Sequence, residues 1–240
     1  MKALSRMTHL PSEKSKNPPK LNIVTPCSRP ENLPRIARSI IRGFVNHGWH
    51  GEMGGTLGVL AVRWWVVFDM NSLSLNKVNQ GCLSISDGRF SALNPTFLFN
   101  DKKGEAGHQH RNMVLEILEE RNESGWYYNV DDDNILHEKF WEVGVELKRN
   151  STAIAVNQVL RNGEPRFSPV VHVPLEAKPE NMKLCFVDTA QVIFNLEKIK
   201  GRKFDSSRYD ADGLFIEGLF NDDDDFVFID KDLSYYNYLS

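Results

Sequence analysis

The chain is short of cysteine, of long apolar runs and of clustered positive charge, and each shortage narrows the field. Cys27, Cys82 and Cys185 are odd in number, far apart and without metal-ligand spacing, which argues against a disulfide framework and for reduced thiols in a cytoplasmic setting. No apolar stretch approaches the roughly 18 residues of a membrane span, and the first residues lack the apolar core of a signal peptide. With a formal net charge of −3 and scattered basic residues, no nucleic-acid footprint is present, and nucleic acid is not an expected partner. The glycine-rich phosphate fingerprints of Rossmann and P-loop proteins are missing as well.

What is present is enough apolar material, 41%, to bury a core across 240 residues. Residues 1–20 are polar, proline-containing and basic, and are expected to form a flexible tail ahead of one domain, 21–240. That domain alternates strand and helix signals. Residues 21–24 read as a strand, followed by a Thr-Pro-Cys-Ser-Arg-Pro turn and a helix capped near Asn32, with Leu33, Ile36 and Ile40 on its apolar face. Five glycines in 47–58 predict a mobile loop, and 62–68 (VRWWVVF) predicts a strand with Asp69 at its C-terminal end. A further strand is expected at 96–99, then a Gly-rich turn and a helix with Met113, Val114, Ile117 and Leu118 on one face.

The most informative stretch is 126–141, WYYNVDDDNILHEKFW. Its aromatic start predicts a buried strand, and the spacing of Ile135, Leu136, Phe140 and Trp141 predicts a helix. Asp131, Asp132 and Asp133 then sit together where ligands bind in open α/β sheets. Three adjacent carboxylates repel one another, so a counter-charge is expected. Oxygen-only ligands favour Mg²⁺ or Mn²⁺, which usually bridge carboxylates to substrate phosphates. Beyond this point, 151–160, 170–173 and 184–194 predict strands, 212–220 a helix and 226–229 a strand. Asp222 to Asp225 read as a solvated loop, and the Tyr-rich 232–240 as a segment that packs on the surface or closes over a ligand.

In order, TPCSRPENL, VVFD, GHQHRN and YYNVDDDN resemble the motifs of nucleotide-sugar glycosyltransferases with the GT-A fold. The pattern is similar to the β-1,3-glucuronyltransferase family, with its Thr-Pro-x-x-x-Arg-Pro and Asp-Asp-Asp-Asn turns, and to small family 2 bacterial glycosyltransferases. The chain lacks the glucuronyltransferases' long C-terminal segment, so glucuronic acid is not supported as donor sugar. The resemblance implies an α/β GT-A fold: a single Rossmann-like domain with a mixed, mostly parallel central sheet flanked by helices.

It also implies roles. Thr25, Pro26 and Arg29 would border the nucleotide, Asp69 would contact uracil or an equivalent base, and Arg111 with neighbouring Asn112 would face the diphosphate. Asp132 would contact ribose and Asp133 the metal, with Asp131 holding a basic neighbour or sharing the metal. Asp188, Thr189 and Gln191 would lie near the acceptor or donor sugar, or else cap a core strand. Asp212 would be the catalytic base of an inverting reaction, with Glu217 the alternative. The implied partners are a nucleotide-sugar donor, UDP-linked first, and a glycan, lipid-linked or other hydroxyl acceptor. Work on lipid-linked glycans would place the protein at a membrane surface, although Lys14, Lys16 and Lys20 are too sparse to argue for that. Two rival readings are a sugar-phosphate nucleotidyltransferase, which would want a glycine- and basic-rich loop after Val24, and a calcium-binding module, which would want spaced ligands with a bidentate Glu.

Overall fold

A computed structural model of the protein describes residues 19–46, 61–86, 88–93, 95–167, 174–223 and 225–240. The glycine-rich 47–58, the strand expected at 170–173 and residues 1–18 of the expected tail lie outside them. The strands are β1 (Lys20–Cys27), β2 (Ala61–Asp69), β3 (Thr96–Asn100), β4 (Trp126–Asn129), β5 (Ile135–Leu136), β6 (Ala153–Val159), β7 (Val192–Asn195) and β8 (Phe226–Tyr235). They form one mixed sheet in the order β3-β2-β1-β4-β7-β6-β8-β5. The β3-β2-β1-β4 half is parallel, β7 runs antiparallel to both neighbours, and β6 and β8 pair in parallel.

Among the described residues four α-helices flank the sheet: α1 (Leu33–Asn46), α2 (Leu75–Ile85), α3 (His108–Glu120) and α4 (Ala211–Asp222). The period of two along the central strands decides which side chains meet which helices. Leu21 and Ile23 of β1, with Trp64, Val66 and Phe68 of β2, pack with Ile36 and Ile40 of α1. Val24, Trp65 and Val67 point the other way, with Val114 and Leu118 of α3 and Ile216 and Leu219 of α4. Buried on both faces, these strands read as continuous apolar runs. Asn22, a buried polar residue among them, is answered inside the sheet: its Oδ1 accepts from Trp65 Nε1 at 3.0 Å and its Nδ2 donates to Trp126 O at 3.2 Å.

Three expectations need correction. Residues 135–141 are not an α-helix; Ile135 and Leu136 form β5 against β8, and a 3-10 segment, Phe140–Lys148, follows. The apolar spacing fits both arrangements, and the deciding partner is Tyr235, remote in sequence. The strand expected over 184–194 begins only at Val192, because Cys185 takes φ 67° and a 3-10 turn, Thr189–Gln191, intervenes. The last strand is longer than 226–229 and absorbs the first part of the tyrosine-rich tail. Because β1, β2 and β4 are parallel, Arg29, Asp69 and the acid triplet all emerge at one edge of the sheet.

Candidate active site

Asp131, Asp132 and Asp133 follow β4, and they divide three tasks between them. Asp132 is buried, and both its oxygens are taken up by the loop after β1: Oδ2 accepts from the Ser28 and Arg29 N–H groups and from Ser28 Oγ at 2.9 Å, and Oδ1 accepts from Arg29 Nε at 2.9 Å. Asn32 Nδ2 donates to Asp132 O at 2.8 Å. This carboxylate is a clamp between two strand ends. Arg29 also reaches Asp133 Oδ2 at 2.8 Å, leaving Asp133 Oδ1 without a described partner. Asp131 Oδ1 accepts from Arg111 Nη2 at 2.5 Å.

Arg111 comes from the first turn of α3, whose entry depends on Gly107. This glycine has φ 74°, and a Cβ there would lie 2.8 Å from Pro26 Cβ. Only a residue without a side chain lets α3 start this close to the end of β1. The guanidinium is almost wholly buried: Nη1 donates to Ala106 O at 2.9 Å and to His108 Nδ1 at 2.8 Å. His108 Nε2 lies 3.2 Å from Tyr209 O, which settles the tautomer as Nε2–H. Burial and the adjacent Arg111 hold this imidazole down to about 4, so it stays neutral and can accept from the arginine.

Asp212 stands in the first turn of α4 and accepts from the Gly213 N–H at 2.8 Å. Burial, then the charge on Asp188, push it up to about 6 against the pull of Arg111, with Asp131 adding to the rise. Asp131 is raised too, by burial and by Asp188 and Asp133, despite its contact with Arg111. Asp188 caps the 3-10 turn through Ala190 N–H at 2.8 Å and pairs with Arg166 Nη1 at 3.2 Å. Arg166 in turn lies over the Tyr236 ring, 3.9 Å from its centroid. Four carboxylates, Asp131, Asp133, Asp188 and Asp212, thus influence one another around Arg111.

Other residues singled out from the sequence make contacts within the fold. Thr25 is fully buried and its Oγ1 accepts from Trp64 Nε1 at 3.0 Å. Asn112 is spent on the Phe204 backbone, donating to O at 2.8 Å and accepting from N at 2.9 Å. Gln191 completes the cap of Asp188 and donates to Leu175 O at 2.8 Å, and Thr189 is buried beside it. Glu217 lies five residues after Asp212, which turns it about 140° around the helix axis. Asp222, the last residue of α4, pairs with Arg202, and Asp223 with Lys198.

Sequence reasoning missed His110. Both its ring nitrogens are buried without a partner, as is Asn100 Nδ2 at the end of β3. Asp69 sits close enough to exert charge on His110, yet burial and Arg111 keep that imidazole below its usual range. The histidine in GHQHRN was visible, but nothing in its spacing distinguished it from His108.

As for a metal, among the described residues no three His, Cys, Asp or Glu side chains converge as a closed set of ligands. The remaining oxygens of Asp131 and Asp133 fit the open arrangement in which one or two carboxylates share a Mg²⁺ or Mn²⁺ with ligand phosphates.

No protein-family description and no curated protein matches the sequence. Solved structures do match the fold. At TM-score 0.59 and 14% identity, 90% of this chain overlays 60% of the crystallised S. aureus TarS 1-349 chain. At TM-score 0.58 and 9% identity, 92% of it overlays 58% of mannosyltransferase PcManGT from Pyrobaculum calidifontis, in complex with GDP-Man and Mn²⁺. The chain therefore spans about three-fifths of each of these proteins, and at such identities what is shared is the GT-A-like α/β fold. Among the described residues no helix is long and apolar enough to cross a membrane.

Proposed function

We propose that this protein is a metal-dependent glycosyltransferase that moves a sugar from a nucleoside-diphosphate sugar, UDP-linked first, to a hydroxyl of a glycan or lipid-linked acceptor, with inversion at the anomeric carbon. The observation that carries this reading is Asp212: a carboxylate in the first turn of α4, near enough to Asp131, Asp188 and Arg111 to feel their charge, with burial and Asp188 raising it to about 6, in a sheet of GT-A-like fold. A base with that affinity for protons is largely ionised at neutral pH yet still basic enough to assist a hydroxyl. The mannosyltransferase that shares this fold was solved with a nucleotide sugar and Mn²⁺, which supports the donor class.

In this reading Asp212 takes the acceptor hydroxyl's proton as that oxygen bonds to the anomeric carbon. The bond to the diphosphate breaks on the opposite face, and its electron pair leaves with the phosphate. Asp131 and Asp133 would hold Mn²⁺ or Mg²⁺, which supplies neutralising charge to the departing diphosphate. Arg111 acts mainly as a positioning residue, since both its terminal nitrogens are committed to Asp131, His108 and Ala106. Arg29 braces Asp132 and Asp133 in the same way. Pro26, Asp69 and the unpartnered ring of His110 border the nucleobase, the neutral imidazole offering one donor and one acceptor to its edge.

The test is transfer by Asp212→Asn with a nucleotide-sugar panel. The variant is expected to keep nucleotide binding and to lose transfer by about 10²–10⁴-fold, while the parent's rate falls as pH drops through about 6. Transfer at the parental rate would remove Asp212 from the chemistry and turn attention to Glu217→Gln.

A further inference from the structure

On the α1 face of the sheet, away from α3 and Arg111, lies a groove of about 920 Å³ that the reaction does not use. One wall is α1, where Arg35, Arg38 and Arg42 occupy positions i, i+3 and i+7 and so share a face. Arg161, which follows β6, also lines the groove. The floor is apolar and aromatic: Ile41, Ile135, Leu136, Tyr235 and Tyr238. Among the described residues four arginines meet a single acid, Glu138, an excess of three positive charges within one concavity. Glu138 stands 3.6 Å from Arg42, and among the described residues no carboxylate pairs with Arg35, Arg38 or Arg161. Arg161 instead lies over the Tyr238 ring, 5.2 Å from its centroid.

Like charges projecting from two separate elements into one groove repel, and a cleft lined by one sign concentrates counter-ions. Guanidinium groups match phosphate oxygens in geometry and bind them in forked pairs. The aromatic floor adds a surface for an apolar body attached to that phosphate.

We propose that this groove binds an organic phosphate, with the anion on Arg35, Arg38 and Arg161 and its apolar portion on Tyr235 and Tyr238. The site is separate from the proposed donor site, because α1 and α3 pack on opposite faces of the sheet. It adjoins the acid turn through β5, through the pairings of Leu239 N–H with Asp133 O at 2.9 Å and of Asn237 N–H with Asn134 Oδ1 at 2.8 Å, and through Asn32, just before α1, which donates to Asp132 O.

The experiment is titration of the full chain in chelator, which silences metal-supported donor binding. One arm uses phenyl phosphate; the other uses phosphatidylcholine vesicles with and without phosphatidic acid. Binding in the first arm alone assigns a soluble phosphate ester, and binding to the acidic vesicles assigns a lipid headgroup. In either arm Arg35→Glu/Arg38→Glu is expected to weaken binding at least about tenfold, with Arg161→Glu acting in the same direction. Because these arginines are exposed, the variants are expected to unfold at the parental temperature. Absence of binding in both arms, or unchanged binding by the double variant and by Arg161→Glu, overturns the proposal.

Discussion

Three neighbouring aspartates of identical chemistry differ here because of what each faces. Asp132 accepts backbone and side-chain N–H groups on both oxygens. Asp132→Asn would turn an amide donor toward donors already in place, and an expected loss of about 2–3 kcal/mol in unfolding free energy follows. Asp133 has one oxygen without a described partner, so Asp133→Asn should cost less than about 1 kcal/mol while abolishing metal-supported nucleotide binding. Denaturant unfolding and nucleotide titration of the two variants separate these outcomes. Asp212 differs again. Burial, then Asp188, raise its carboxyl from 3.8 to about 6, so between those pH values the folded chain holds a proton that the unfolded chain has released. Stability is lost as pH rises through that window and stays lowered above it. Asp212→Asn is therefore expected to stabilise the protein at neutral pH, by roughly 1–3 kcal/mol, and to flatten the pH dependence of unfolding between about 4 and 6. A variant gaining nothing at neutral pH would contradict the strained-carboxylate account. The same residue would then weaken the fold and serve transfer, a conflict common at functional sites.

Among the elements, the strands that build the ligand edge were legible because their signals are local. Leu21 to Val24 and Val62 to Phe68 are dominated by apolar and β-branched residues, broken only by Asn22 and Arg63, and β1 and β2 appear where those runs lie. Residues 135–141 were not legible, since spacing alone cannot distinguish a short strand and a 3-10 segment from a helix when the pairing partner is β8. The same limit explains Thr25, Asn112 and Gln191. Each is a polar residue in a conspicuous stretch, and each bonds a remote group: Trp64, Phe204 or Leu175. The C-terminal segment shows what such remote contacts do. Asn237 N–H donates to Asn134 Oδ1 at 2.8 Å and Leu239 N–H to Asp133 O at 2.9 Å, latching the tail onto the acid turn. Asn134 is buried, so Asn134→Ala leaves a backbone donor unanswered and is expected to cost about 1–2 kcal/mol. Nucleotide affinity should fall with it, because the turn loses its brace. Thermal unfolding and nucleotide titration of this variant check both effects.

At the scale of the molecule, a parallel half-sheet gathers the ends of β1, β2 and β4 at one edge, and α3 and α4 begin beside it. The expected α/β architecture is what the structure shows, shared with solved proteins at 14% and 9% identity. Such distances preserve a fold while leaving the donor, acceptor and stereochemistry to the loops. The account rests on a divalent cation shared between protein carboxylates and a nucleoside diphosphate. Calorimetric titration of the full chain with uridine, guanosine and thymidine diphosphates, in Mn²⁺, in Mg²⁺ and in chelator, tests that claim directly. The account predicts that uridine diphosphate binds in the presence of metal, that chelator abolishes the binding, and that metal without nucleotide binds weakly. Nucleotide binding that is equal with and without metal, or absent for all three bases, would contradict it.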